Sequence, residues 1–506
     1  MNSSRIDSFS VWKFVAGLAA IVFTAGAHAI DIHPIVLAQV QAQGSSDALI
    51  VFGDQLLPTT NPALDIKAHR RALVNALHLR ADAQQHDLRA WLDARGIEHQ
   101  DFWIVNAIRA RVTNADLVAL QSRSENIRID PNPVVARTLP APAFDRSEVL
   151  DAGGIGWGVA KINAPAMWAA GFTGQNVVIG GEDTGYQWDH PILKPHYRGW
   201  NGTVANHNYN WHDAIHNAQT GNPCGSNSPV PCDDDLHGTH TAGTFVGDDG
   251  PGASPRHQYG VAPGATWIGC RNMDEGTGTP ARYIECMQFM LAPTDLAGNN
   301  PNPDLAADIV SNSWSCPTSE GCSADTLETA VNTLVDAGIF YAAAAQNYGP
   351  GCSTITDPPA LYDAVFDVGA TDQSDSLASF SSLGPVAGST KIRPDVVAPG
   401  VDICSSIPTN SYSCTFSGTS MATPHVAGAA ALLMSAFPEL KGNPARIAAV
   451  LGAGTITSGV TDPYNTSCGG NAGTTWPNYL MGYGRIDVYA AFLAFDEIFK
   501  DGFDGG

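Results

Sequence analysis

From about residue 150 onward, short apolar runs alternate with helical stretches, and this alternation limits the possible folds more than any other feature. The runs are VVIGG (177–181), TWIGC (266–270), ADIVSNS (307–313), IFYAAAA (339–345) and AVFDVGA (364–370), with helical patterns such as 280–291 and 325–337 between them. Continuous apolar runs suit strands buried on both faces, which is the habit of parallel sheets. The expected architecture is therefore α/β, with helices on both faces of a parallel sheet. In such sheets functional groups collect at the carboxyl ends of the strands. Hydrophobic residues make up 44% of the 506, enough for a large core and against wholesale disorder. No internal repeat is present.

Residues 30–146 read as a separate unit. ALIVF (48–52), FWIVNAI (102–108) and IRID (127–130) have strand character. Leu73, Leu77, Leu88, Trp91 and Leu92 recur at helical spacing between His69 and Arg95, and Gly96 is a helix stop. Thr113 or Asn114 caps a short helix through Leu120. Strand–helix–strand–helix–strand gives a small α+β unit of ferredoxin-like kind. NPVVARTLPAPAFDRS (132–147) is rich in proline and small residues and reads as an exposed linker, open to cleavage. The chain after it, 147–495, is the α/β domain. DEIFKDGFDGG (496–506) is a short acidic tail.

The N-terminus reads as a secretory signal over residues 1–29. Arg5 and Lys13 form a basic region, 14–26 an apolar core, and Ala27-His28-Ala29 a cleavage site. The apolar core is short of the about 20 residues a membrane span needs. Ten cysteines, all after residue 223 and without CxxC spacing, fit disulfides in an exported chain better than zinc. Connectivity is not fixed by sequence. Short-loop pairing gives Cys224–Cys232, Cys316–Cys322 and Cys404–Cys414, leaving Cys270–Cys286 and Cys352–Cys468. Residues 30–146 carry 12 Lys and Arg against 13 Asp and Glu, so nearly all of the net charge of −23 lies downstream. That sign disfavours nucleic acid as a partner and favours solubility outside the cell.

Three strings carry the chemistry: GEDTG around Asp183, HGTHTAG from His237, and SGTSMATPH around Ser420. Each is weak alone. A DTG is a common turn, an HGTH could bind metal, a GTSMA could cap a helix. Together they supply an acid, a base and a nucleophile. A serine hydroxyl needs an imidazole to take its proton, and the imidazole needs a carboxylate to hold its tautomer. The order Asp, His, Ser excludes the α/β-hydrolase order Ser–Asp–His with its GxSxG elbow and the chymotrypsin order His–Asp–Ser. Ser420 precedes a small-residue helix, 421–436, whose N-terminal dipole favours negative charge.

These strings resemble those of the subtilisin-like serine proteases, the subtilases, over roughly residues 155–455. YRGWNG (197–202), HNYNWHDA (207–214), LAPTD (291–295) and PPALYDAVFDVGA (358–370) are similar to the bacillopeptidase F-like secreted bacterial group. The sedolisins, which share a GTS-type turn, carry glutamate where this chain has His237. The resemblance implies Asp183 as orienting acid, His237 as general base and Ser420 as nucleophile, with His240 and His425 as scaffold. It makes residues 48–130 similar to an inhibitory, chaperone-like propeptide. Asn347, in AAAAQNYGP, takes the place of the family's oxyanion-hole donor, with the Ser420 N–H as the second. Ser313, Trp314, Ser315, Gln346 and Thr356 fall in or near the substrate-binding segments.

Two positions depart from the family. Gln346 and Ser315 stand where relatives have glycine. A side chain there takes space and gives up easy access to positive φ, so the expected pocket is narrow and favours a small residue. The acidic runs Asp233–Asp235 and Asp248–Asp249 are compatible with a structural calcium, but have no EF-hand spacing. No cofactor is required for the chemistry. The expected protein is a secreted or periplasmic monomer, made as a prepro-enzyme, that hydrolyses polypeptide substrates and is restrained by its own propeptide. The competing reading is a catalytically silent subtilase fold used for peptide binding, for which Gln346 and Ser315 are the sequence grounds.

Overall fold

In the computed structural model, residues 30–56, 65–137 and 153–499 are described. The signal sequence, the linker beyond Arg137 and the last seven residues of the tail lie outside them. The α/β expectation holds. A nine-stranded sheet has Trp211–Asp213 at one edge, then in spatial order Thr266–Arg271, Val178–Asp183, Ile309–Asn312, Phe340–Ala344, Phe366–Thr371, Val396–Pro399, Arg485–Ile486 and Thr455–Ile456. All neighbours are parallel except the last pair. The chain runs from Val178–Asp183 to Thr266–Arg271 on one side and then to Ile309–Asn312 on the other. The direction of winding thus reverses at Val178–Asp183, the kind of switch point where α/β sheets open a crevice.

Helix Thr419–Ala436 packs across this sheet against Ile309–Asn312, Phe340–Ala344 and Phe366–Thr371. Its residues from Thr419 to Met434 are all buried. The alanines and glycine of TPHVAGAAALLM explain why: small side chains let the helix lie close to the sheet and to helix His237–Val246. Helices Pro280–Leu291 and Glu328–Asp336 share a second apolar core with the opposite sheet face. The three disulfides expected from short-loop pairing and the two left by elimination are all present.

The N-terminal unit is a five-stranded sheet of Asp31–Ile32, Ile127–Pro131, Ser45–Phe52, Ala107–Thr113 and His99–Phe102, in that order. Thr113 caps helix Asn114–Leu120 in a reciprocal capping box with Asp116. Helix Ile66–Ala94 runs the length of the unit. FWIVNAI is not the expected strand. Residues 103–106 form the turn between His99–Phe102 and Ala107–Thr113, where Gln288 of the larger unit accepts the Trp103 and Ile104 N–H groups.

Two boundaries also move. Helix Val488–Phe499 continues through residue 495, so the acidic tail begins inside a helix. Residues 132–137 are not an exposed linker. Asn132 accepts from the Ala281 N–H, Val135 is fully buried, and Val135–Ala136 pairs antiparallel with Thr277–Gly278. The composition reads as linker because the strand's partner lies about 140 residues away in sequence.

Candidate active site

Asp183 ends the strand Val178–Asp183 at the switch point, and His237 opens the helix that follows. The two meet: His237 Nδ1 lies 2.7 Å from Asp183 Oδ1, with both side chains buried. The carboxylate is held by the Thr184 N–H at 2.7 Å and by the Thr241 hydroxyl at 3.3 Å. Close approach requires Gly238, where a Cβ would sit 2.1 Å from the Gly185 carbonyl. Asp233 fastens the same turn, accepting from the Thr239 N–H and hydroxyl and from Thr184 Oγ1. Burial pushes its carboxyl up to about 6 against those hydrogen bonds.

Ser420 is the second residue of helix Thr419–Ala436 rather than its predecessor. Its hydroxyl donates to the Ser313 carbonyl at 3.0 Å, and the Ser313 hydroxyl donates to the Ser420 carbonyl at 3.0 Å. The second bond has a clear cause. Pro424 sits four residues on and has no N–H, so the Ser420 carbonyl lacks its helical donor and Ser313 supplies one. Among the described residues, His237 Nε2 has no hydrogen-bond partner. The Asp183–His237 link is thus formed and a His237–Ser420 link is not; the Ser420 hydroxyl is turned to Ser313 instead.

Asn347 follows strand Phe340–Ala344, and its Oδ1 accepts from the Thr419 N–H at 3.0 Å and the Thr419 hydroxyl at 3.1 Å. These bonds turn its NH2 group away from Thr419. Ser313, Trp314, Ser315, Gln346, Asn347 and Ser420 line one cavity of about 20 Å³, close to the space one water occupies. Trp314 is packed as core, stacked on Tyr283 at 3.7 Å with its indole N–H on the Glu182 carbonyl. Gln346 keeps the backbone of the glycine it replaces, at φ 79°. Its side chain offsets that strain by donating to the Asp357 carbonyl at 2.7 Å and accepting from the Thr356 N–H at 3.1 Å. Thr356 is therefore held by the cavity wall without being part of it.

His240 and His425 lie away from the reacting groups. His240 contacts the Ile403 carbonyl at 3.0 Å and stacks on Phe416. Burial pushes it down to about 3, and His425, on the Met421 carbonyl, to about 4. Sequence reasoning missed two residues of the cleft, Arg137 and Asp235. Arg137 shares the cavity with Ser420, and its guanidinium pairs with Asp235, two residues before His237. The signal was the run of three aspartates, considered above only as a candidate calcium ligand set.

A buried acid–base pair at a switch point, with a serine in the first turn of a helix whose first residue is hydrogen-bonded to an asparagine, accords with a family model. Residues 174–484 match the subtilase family. The chain belongs to the subtilase family. This subtilase is 36% identical to bacillopeptidase F of Bacillus subtilis (strain 168) over 387 residues, 73% of its own chain and 26% of that protein. It is 35% identical to subtilisin NAT of Bacillus subtilis subsp. natto over 285 residues, 56% of this chain and 61% of that one. The same identity relates it to subtilisin of Bacillus pumilus over 85% of that protein. The chain thus spans about a quarter of bacillopeptidase F and three fifths of subtilisin NAT.

The acidic runs of this subtilase do not converge on a metal centre. Asp234 pairs with buried Arg271, Asp248 with Arg256 and Asp249 with His257. Among the described residues no group of three or more His, Cys, Asp or Glu could hold an ion, and no helix is long and apolar enough to cross a membrane.

Proposed function

We propose that the chain is a serine endopeptidase acting on polypeptides. The observation that carries this is the buried 2.7 Å Asp183–His237 pair, in a chain whose Ser420 and Asn347 line one cavity. In the proposed reaction the Ser420 hydroxyl rotates from the Ser313 carbonyl to His237 Nε2, which takes its proton as Oγ attacks the peptide carbonyl. Asp183 holds Nδ1–H and stabilises the imidazolium. The Asn347 NH2 group and the Ser420 N–H receive the developing oxyanion. His237 then protonates the leaving amine, and water hydrolyses the acyl-enzyme by the same route in reverse. The small cavity supports a small residue on the acyl side of the scissile bond. No cofactor enters these steps, and a calcium ion would act on stability alone.

The N-terminal unit serves in this proposal as propeptide. Its Val135–Ala136 strand pairs with Thr277–Gly278 as an extended substrate would, and Arg137 lines the cavity. The signal at 1–29 directs export, and cleavage after the N-terminal unit releases a monomeric mature enzyme. Ser420→Ala is expected to cut turnover about 10⁶-fold, a magnitude general to loss of the nucleophile in subtilisins rather than obtained from this geometry. Expressed in a protease-deficient host, it should accumulate as full-length precursor. Wild type should label with a fluorophosphonate and Ser420→Ala should not. An unlabelled, inactive wild type would instead mark a silent peptide-binding fold.

A further inference from the structure

We infer that the cleft carries a subsite for a basic side chain, built on Asp235, which reads the second residue before the scissile bond. The inference rests on the peptidase reading above and names a preference that reading does not contain. Three consecutive acids have three different fates. Asp233 is consumed by Thr184, Thr239 and the Asp235 N–H. Asp234 is neutralised by Arg271, both side chains being fully buried. Asp235 takes a cation from another part of the chain, a residue that lines the cavity beside Ser420: Arg137 Nη2 donates to its two carboxylate oxygens at 2.9 and 2.8 Å.

Arg137 is held there as a substrate residue would be. It continues the Val135–Ala136 strand, and its N–H donates to the Gly276 carbonyl at 2.9 Å. Its side chain is 10% exposed and that of Asp235 25%. The loop opposite is shaped around the pair: a Cβ on Gly276 would stand 2.3 Å from Asp235 Oδ2. Because the guanidinium goes to Asp235, Arg137 only borders the cavity beside Ser420. For a substrate bound in the register of Val135–Arg137, the next side chain would enter the cavity and the scissile bond would follow it.

The chemistry selects by charge. A neutral residue would leave the largely buried Asp235 carboxylate without its partner, and an acidic one would be repelled. Arginine Nε and Nη1 have no hydrogen-bond partner among the described residues. The contact is therefore made by one nitrogen, which a lysine ammonium can equally supply. Asp235 is a specificity determinant and touches none of the reacting atoms.

The test uses matured enzyme, wild type and Asp235→Asn, with peptides that differ only in Arg, Lys, Ala or Glu at the second position before the cut. Product masses locate the cut, and fluorophosphonate labelling counts active sites. In wild type, kcat/KM for Arg and Lys should exceed that for Ala by about 10- to 100-fold, with Glu lowest. In Asp235→Asn the Arg and Lys values should fall to that of Ala, each rate being referred to the active sites counted by labelling. A labelled wild type that cleaves the Ala and Arg peptides equally overturns the inference and leaves the peptidase reading standing. A wild type that neither labels nor cleaves overturns both. The wild-type series decides the matter even where the variant fails to fold.

Discussion

Residues 30–137 contain no cysteine, are close to charge-neutral, and form a sheet that is antiparallel but for one edge pair. Residues 153–499 contain all ten cysteines, paired in five disulfides, carry most of the acidity, and form a parallel sheet with both faces covered. Their apolar surfaces are arranged differently too. On strand Ser45–Phe52, Ala48, Ile50 and Phe52 face the smaller unit's own core, whereas Leu49 and Val51 join a cluster with Met287, Phe289 and Leu327 of the larger one. Helix Ile66–Ala94 is divided likewise: Leu88 and Leu92 serve its own unit, Leu73, Val74 and Leu77 the contact. The smaller unit is thus half-finished alone, and the larger one is covalently secured.

The comparison can be broken at its covalent side first. Replacing Cys352 and Cys468 by serine removes a tie across 116 residues, worth about 5 kcal/mol in the loop-entropy account. Calorimetry should show the larger unit's transition falling and that of the smaller unit holding. Equal falls would mean that the two melt as one. Next is Leu88→Ala, at about 3 kcal/mol for a buried leucine. Faster amide exchange should stay within residues 30–137, whereas Leu77→Ala should also loosen helix Pro280–Leu291.

The smallest effect is one of pH. Hydrogen bonding to Glu285 raises His216 to about 9, and Gln100 of the smaller unit donates to the same carboxylate at 2.6 Å. A folded value above the unfolded one stabilises fully below about pH 6.5 and is lost as pH rises through about 9. Tm should fall between those values in wild type and fall less in His216→Gln. Half-exposure of His216 keeps the effect small and sensitive to salt.

Much of this was legible in the residues. Apolar runs marked the strands because burial on both faces leaves no polar alternation. Short loops marked three of the disulfides, since nearby cysteines meet at little entropic cost, and the other two were what remained. Asp183, His237 and Asn347 could be placed because each lies where a strand ends or a helix begins. What escaped depends on partners remote in sequence. Val135 and Ala136 look like linker until Thr277 and Gly278 are beside them. Gln346 was expected to abandon a glycine's conformation; it keeps it, since two hydrogen bonds to residues 356 and 357 secure the strained backbone. The three aspartates differ only in what faces them. The orientation of the Ser420 hydroxyl, too, follows from contacts that no local pattern encodes.

The proline at position 424 has a mechanical consequence. By withholding one N–H it unlaces a single rung of the helical ladder and gives that rung to Ser313, at the end of strand Ile309–Asn312. Helix and sheet are stitched together at the residue that bears the nucleophile. Two reciprocal hydrogen bonds hold that junction, so helix and strand end cannot shift past each other without breaking both.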